Sequence, residues 1–320
     1  MRVVVIGAGL SGLTAARQLA GNGHEVTVVD KGRGVGGRLA TRRIGDATVD
    51  HGAQFFTARS STFMAAVDEW ISDGVVVEWC RGFTEPFDGY PRYAVPGGMS
   101  ALAKHLARDR DVRTSTMVFA LRRGERTNWS VAIDDGSSID ADAVVITTPV
   151  PQALAITITA GIELPDELRS LDYDRTIALL AVLDRPSAVP EPGAVQNDDP
   201  VFSMIVDNVR KGVSRAPALT LHANAAWSLE QWDEPHAQTR SLLLSEAQRW
   251  LGPATVVTSE VKRWRFATPQ RTWPEPCWSA PDTAGPLVLA GDAFAGPRVE
   301  GAWTSGLAAA AFVTSSASST

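Results

Sequence analysis

Two cysteines, Cys80 and Cys277, are all the thiols in the 320-residue chain, and neither belongs to a CxxC pair. That excludes a cysteine-built zinc centre and a vicinal dithiol site, and no metal is expected. Two reduced thiols of a cytoplasmic protein are predicted, with one long-range disulfide as the alternative. No apolar run approaches the ~20 residues that a bilayer demands. No block of like charge occurs either. The 30 Lys and Arg stand against 36 Asp and Glu, a net charge of −6, so the clustered cations that neutralise nucleic-acid phosphates are missing. No period of roughly 20–50 residues repeats, and the one low-complexity stretch, Thr314 to Thr320, is expected to fray. With 44% hydrophobic and 21% charged residues, collagen-like, disordered and disulfide-scaffold classes are excluded. A soluble α/β or α+β protein of about two domains remains.

The N-terminus reads as strand, tight turn, helix, strand. Arg2 to Ile6 is a β-branched run, Ser11 to Ala20 is predicted helical, and Glu25 to Asp30 is a second strand. Ala143 to Thr148 and Leu287 to Ala290 look like buried parallel strands, and a helix is predicted from Gly301 to Val313. The middle differs: Thr176 to Leu183, Val201 to Val206, Ala218 to His222 and Val256 to Trp264 read as strands between Pro, Gly and Asp/Asn punctuation. One helix interrupts them, opened by Pro235, lined by Leu242, Leu243, Leu244, Trp250 and Leu251, and closed by Gly252-Pro253. Strands inserted between parallel-type elements predict a discontinuous nucleotide-binding domain with a second domain threaded through it.

Gly7-Ala8-Gly9-Leu10-Ser11-Gly12 is a GxGxxG placed directly between strand and helix. Gly7 serves the turn, Gly9 the close approach of a pyrophosphate, and Gly12 the packing of helix on strand. The helix start, with Leu10 and Ser11, offers free N–H groups and a positive dipole end to phosphate. Asp30, 18 residues after Gly12, can bind ribose hydroxyls. A secretory signal over Met1 to Ala16 conflicts with this reading, because cleavage would delete the turn. A second glycine cluster, Lys31 to Arg38 with Gly36 and Gly37, brings flexible backbone and a cation, Arg38, to the same pyrophosphate. That pattern suits FAD. No second GxGxxG follows, which argues against a separate nicotinamide domain, and the missing CxxC removes the disulfide reductases. Near the C-terminus, Gly291-Asp292 ends a strand where Asp292 can meet a ribityl chain. Val299, Glu300, Gly301 and Ala302 then open a helix whose N-terminus would stabilise negative charge on a reduced flavin.

Asp30 to Arg38, followed by Asp50-His51-Gly52-Ala53-Gln54-Phe55-Phe56-Thr57-Ala58-Arg59, resembles the renalase family of flavoproteins. So do Val95 to Met99, Thr148 to Gln152, Lys262 to Phe266 and Arg298 to Trp303, in family order along nearly the whole chain. The resemblance implies a p-hydroxybenzoate-hydroxylase-like α/β architecture: a Rossmann-type FAD-binding domain (1–60, 95–155 and 280–320) and a mainly antiparallel β-sheet substrate domain (61–94 and 156–279). It implies non-covalent FAD, with Gln54, Phe55 and Val118 added to the cofactor contacts. It also implies oxidation of 2- or 6-dihydro isomers of NAD(P)H, with oxygen reoxidising the flavin to give hydrogen peroxide. No nucleic-acid, membrane or obligate protein partner is expected.

Hydride transfer from a dihydropyridine needs alignment and no general base, so no catalytic triad is expected. His222 sits where the family has a substrate-facing strand, and Asn224 would share its face by two-residue alternation. Trp264 and Arg59 complete the expected substrate contacts. Arg263 and Arg265, on one strand face, either reach a pyrophosphate or are solvated. An amine or amino-acid oxidase is the main alternative, weakened by the presence of only Tyr90, Tyr93 and Tyr173 for an aromatic cage. A non-catalytic binder of the GDP-dissociation-inhibitor type is the other.

Overall fold

The computed structural model describes residues 1–83 and 86–317. The chain divides into two compact units: Met1–Gly37 with Ala103–Asp172 and Pro269–Thr320, and Arg38–Leu102 with Tyr173–Thr268.

The first unit is built on β1 (Arg2–Ile6), whose Val3, Val4 and Val5 are at most 1% exposed. Such a run of β-branched residues suits a strand covered on both faces. Its two neighbours are parallel to it: β2 (Glu25–Val29) and the Ala143–Ile146 strand. The sheet continues outward through Leu287–Leu289 to Trp278–Ser279 on one side and through Asp111–Arg113 on the other. Only the Trp278–Ser279 pairing is antiparallel. Helix α1 (Leu10–Gly21) makes the crossover from β1 to β2. The C-terminal helix, Val299–Ala317, approaches it so closely that a Cβ on Gly306 would lie 2.3 Å from the Ser11 carbonyl oxygen. This helix corrects the expectation of a frayed end, because Thr314 to Ala317 continue it. Residues 318–320 lie outside the described residues. A separate antiparallel sheet comprises Val118–Arg123, Trp129–Ile133 and Ser138–Ala141.

The second unit centres on a five-stranded sheet in the order Ala194–Gln196, Phe202–Asp207, Ala218–Ala223, Tyr173–Leu183, Val256–Pro269. It is antiparallel through its first four strands. Alternation divides its residues cleanly. Ile177, Leu179, Ala181, Leu219 and Leu221 pack with Leu243, Ala247 and Leu251. Ala178, Leu180 and Ala218 instead pack on Ile44, Ala47 and Val49 of the hairpin formed by β3 (Thr41–Ile44) and β4 (Ala47–Asp50). The single helix expected after Pro235 is two, His236–Glu246 and Gln248–Leu251, ended by Gly252 at φ +62°. Leu242 is 40% exposed and so does not line its buried side. Helices Ser61–Ser72, Ser100–Leu106 and Val150–Thr157 have no counterpart in the sequence reading. The first of them is capped by Ser60 Oγ, which accepts the Phe63 N–H at 3.3 Å.

No described helix is long and apolar enough to cross a membrane. Cys80 and Cys277 are both free thiols, and burial raises the pKa of each.

Candidate functional site

In the first unit the two glycine clusters fold onto one another. The Gly36 N–H donates to the Ala8 carbonyl at 2.8 Å, and Gly9 and Gly36 form an isolated parallel bridge. Gly37 sits at φ +54°, and a Cβ there would lie 3.5 Å from Gly9 Cα. Asp30 joins the arrangement from the end of β2: its Oδ2 accepts the Ala8 N–H at 2.7 Å and its Oδ1 the Gly32 N–H at 2.6 Å. Thus Asp30 shapes both glycine turns, a role additional to the ribose binding expected of it. Lys31 beside it is exposed.

The three motif glycines answer different demands. Gly7 adopts φ +112°, and a Cβ on Gly12 would fall 1.9 Å from the Gly7 carbonyl oxygen. Around Gly9 there is open space, with nothing within 4 Å of such a Cβ. Gly9 caps α1 without a side chain, and the first helical turn carries no acidic residue. Its N–H groups and dipole are therefore available to an anion. The buried hydroxyls of Ser11 and Thr148 lack hydrogen-bond partners among the described residues. Unclaimed donors, open space over a glycine and a bare helix start fit a dinucleotide pyrophosphate.

This contrast makes a test. Gly9→Val, at φ −76° and ψ −179°, is sterically allowed in the protein alone, so thermal stability should be unchanged while bound flavin falls about tenfold or more. Gly12→Ala should lose both. Equal flavin content in wild type and Gly9→Val, read from visible absorbance, would show that nothing approaches that glycine.

Elsewhere in this unit, the Gly291 N–H donates to the buried Ser305 Oγ at 2.8 Å, fastening the strand end at Gly291-Asp292 to the C-terminal helix. Val299, Glu300, Gly301 and Ala302 form the first turn of that helix, and a Cβ on Gly301 would meet the Gly296 carbonyl at 2.1 Å. Val118 opens its strand opposite Ile133.

The second unit gathers the Asp50 to Gln54 segment around a buried ion pair. Lys211 Nζ lies 2.7 Å from Asp50 Oδ2, both side chains having no solvent exposure. Asp50 Oδ1 also accepts from Thr41 Oγ1 at 2.5 Å and from the Met99 N–H at 2.8 Å. Lys211 further donates to Gln54 Oε1 at 3.3 Å, while Gln54 Nε2 donates to the carbonyls of Asp50 (2.8 Å) and Gly52 (3.0 Å). Thr220 Oγ1 donates to the Asp50 carbonyl at 2.8 Å, and Asn208 Nδ2 to Thr220 Oγ1 at 3.0 Å. Burial lowers the Lys211 pKa, with Asp50 opposing. Gln54, expected along the flavin, spends its amide on this loop.

The same loop presents His51. Its imidazole stacks on the Trp264 indole, centroids 5.3 Å apart at 20°. Two donors converge on the His51 carbonyl: Trp264 Nε1 at 2.7 Å and His222 Nε2 at 3.2 Å. A carbonyl partner requires the Nε2–H tautomer of His222. Burial holds both imidazoles down at about 4. Lys262 and Arg42 add to the effect at His51 against Asp50, and His51 and Lys211 add to it at His222 against the bond to the His51 carbonyl. His51 Nδ1 is buried with no hydrogen-bond partner among the described residues.

Of the expected substrate contacts, His222 and Trp264 therefore meet, through His51. Asn224 and Arg59 are engaged elsewhere. The Ala218–Ala223 strand ends before Asn224, which caps the Ala225–Glu230 helix: its Oδ1 accepts the Trp227 N–H at 2.9 Å and its Nδ2 donates to the Pro200 carbonyl at 2.8 Å. Arg59 is exposed and stacks over Tyr90, 3.5 Å from the ring centroid. Phe55 packs edge-on to Phe83 at 5.0 Å and to Trp79 at 6.5 Å. Arg38 donates from Nη1 to the Ala267 carbonyl at 3.1 Å. Arg263 is committed to the Glu234 carbonyl and, at 3.0 Å, to Thr239 Oγ1. His51 and Lys211 went unassigned in the sequence. His51 lies inside the Asp50 to Arg59 segment that carries the family resemblance, whereas Lys211 carries no local signal.

Mouse renalase is 23% identical to the chain, over 83% of the chain and 84% of that protein. Among solved structures, cyclohexylamine oxidase from Brevibacterium oxydans IH-35A superposes with a TM-score of 0.74 at 15% identity over 99% of each chain. Putrescine oxidase bound to putrescine gives 0.68 at 17% identity, over 98% of this chain and 99% of that one. The NAD(P)-binding Rossmann-like domain model matches residues 5–70. The model for flavin containing amine oxidoreductases matches residues 60–314, and the chain belongs to that family.

Proposed function

We propose that the protein is an oxidase with non-covalently held FAD that takes a hydride from 2- or 6-dihydro isomers of NAD(P)H and releases NAD(P)+. The observation that carries this reading is the His51–Trp264–His222 cluster. Two imidazoles held at about 4 are neutral at physiological pH, so the cluster offers ring surface and no imidazolium proton. A dihydropyridine, already a hydride donor, asks for a ring to stack on and for alignment. The correspondence with mouse renalase over most of both chains supports the same reading.

The first unit's glycine turns and helix start would hold the cofactor's pyrophosphate, and Asp30 its ribose. Bound flavin would supply the hydride acceptor, and its reoxidation by oxygen would yield hydrogen peroxide. Trp264 and His51 would place the nicotinamide ring, and the Nε2–H bond of His222 would fix the loop that carries His51. With no cysteine in the C-terminal Gly291 to Ala302 segment, nothing there tethers the flavin covalently. A cytoplasmic location accords with two free thiols. The second reading, an amine oxidase, rests on the structural likeness to cyclohexylamine and putrescine oxidases.

Anaerobic mixing of the flavin-loaded protein with borohydride-reduced NAD+, which holds 2-, 4- and 6-dihydro isomers, separates the two. Rapid bleaching by the mixture, with none by pure 4-dihydro NADH or simple amines, is expected. Bleaching by an amine alone transfers the assignment to the second reading.

A further inference from the structure

We propose that Lys262, assisted by Arg42, forms an anion subsite beside the His51–Trp264 stack that takes the diphosphate of the substrate and disfavours cationic amines. The inference deepens the reading above and rests on it for the identity of the substrate, though the subsite can be tested without turnover.

The placement follows from strand parity. From Glu260 to Trp264, successive side chains alternate between faces. Val261 packs with the cluster that includes Leu243 and Leu251, and Arg263 bonds to Glu234 and Thr239, so these two face the helices. Their even neighbours face the other way: Glu260 Oε2 pairs with Arg42 Nη2 of β3 at 2.9 Å, and Trp264 stacks on His51. Lys262 lies between these two fixed points on the same face. It is half-buried, and it has no ion-pair or hydrogen-bond partner among the described residues. Two residues of strand, about 7 Å, separate it from Trp264. A ring stacked at Trp264 would place a diphosphate one ribose away, a span of the same order.

The charge balance points the same way. Around the two imidazoles stand three cations, Arg42, Lys211 and Lys262, and two carboxylates, Asp50 and Glu260. Asp50 is answered by Lys211 and Glu260 by Arg42, which leaves the charge of Lys262 uncompensated. After burial, Lys262 is the largest influence pushing the His51 pKa down. An unpaired ammonium in partly desolvated surroundings attracts phosphate strongly and repels another ammonium. Arg265, which the sequence offered for a pyrophosphate, is exposed on the opposite face.

The test uses the flavin-loaded protein, with inorganic pyrophosphate and ADP-ribose as calorimetric probes. Lys262→Met keeps the aliphatic stem and should bind both about tenfold more weakly, with a shallower dependence on salt. Arg42→Gln should lose less, and Arg265→Gln nothing. With the dinucleotide substrate, Lys262→Met should raise KM about tenfold at unchanged kcat. Wild-type affinity in Lys262→Met, no pyrophosphate binding by wild type, or equal loss in Arg265→Gln would each overturn the subsite. If the probes bind through Lys262 but no dihydronicotinamide dinucleotide bleaches the flavin, the subsite stands and the oxidase reading fails. If the dinucleotide turns over and Lys262→Met leaves its KM unchanged, the reading stands and the subsite fails.

Discussion

Replacing Lys211 with methionine should destabilise the protein by about 3–5 kcal/mol, because the Asp50 carboxylate would be left buried without its cation. Both side chains are fully shielded from solvent and 2.7 Å apart, so no water can take the ammonium's place. Denaturant titration measures the loss. The double variant, Asp50→Asn with Lys211→Met, should recover most of it. The new amide's oxygen can keep the bonds that Thr41 and Met99 now give to Oδ1, and the charge that needed a partner is gone. Equal stability of single and double variants would mean that the charge of Asp50 is not what makes Lys211 necessary. Since Lys211 also holds Gln54 Oε1, the single variant should loosen the whole Asp50 to Gln54 loop.

Acid should unfold the protein in a window set by His51 and His222. Each is held at about 4 against an unperturbed 6.5. Below pH 6.5 the unfolded chain takes up protons that the folded chain refuses. Stability therefore falls as pH drops from about 6.5 to about 4 and the effect then levels off, on the order of 3 kcal/mol for each imidazole. The exposed carboxylate of Asp88, held at about 2 by Arg92, titrates lower and does not shape this window. His222→Gln removes one titrating group and keeps an N–H for the His51 carbonyl. Its melting temperature should fall about half as steeply as wild type between pH 7 and roughly pH 4.5. Parallel curves for the two proteins would rule His222 out as a source of the acid sensitivity.

The first unit was legible because its signals are local. The run Val3 to Val5 can only be a buried strand, and a Cβ on Gly12 would collide with a carbonyl five residues earlier. Asp30 was correctly placed at the end of β2, but its two backbone bonds to Ala8 and Gly32 were not foreseen. In the second unit, Thr220 and His222 share one face of Ala218–Ala223 by two-residue alternation, both bonding to the Asp50–His51 backbone. The same alternation misled at Asn224, because the strand stops one residue earlier and Asn is a favoured helix cap. Helices such as Ser61–Ser72 were missed although Ser60 offered a cap signal.

By itself, then, the sequence determined the β1–α1–β2 dinucleotide turn, the paired glycine clusters and the family resemblance. Each depends on residues within a few positions of one another or on their order along the chain. Only the tertiary structure decided that Asp50 is answered by Lys211, 161 residues away, and that His51 meets Trp264, 213 residues away. It alone set Lys262 and Arg263 on opposite faces of one strand with different partners. A buried charge or an imidazole must find a partner, but the chemistry of burial does not say from how far along the chain that partner will come.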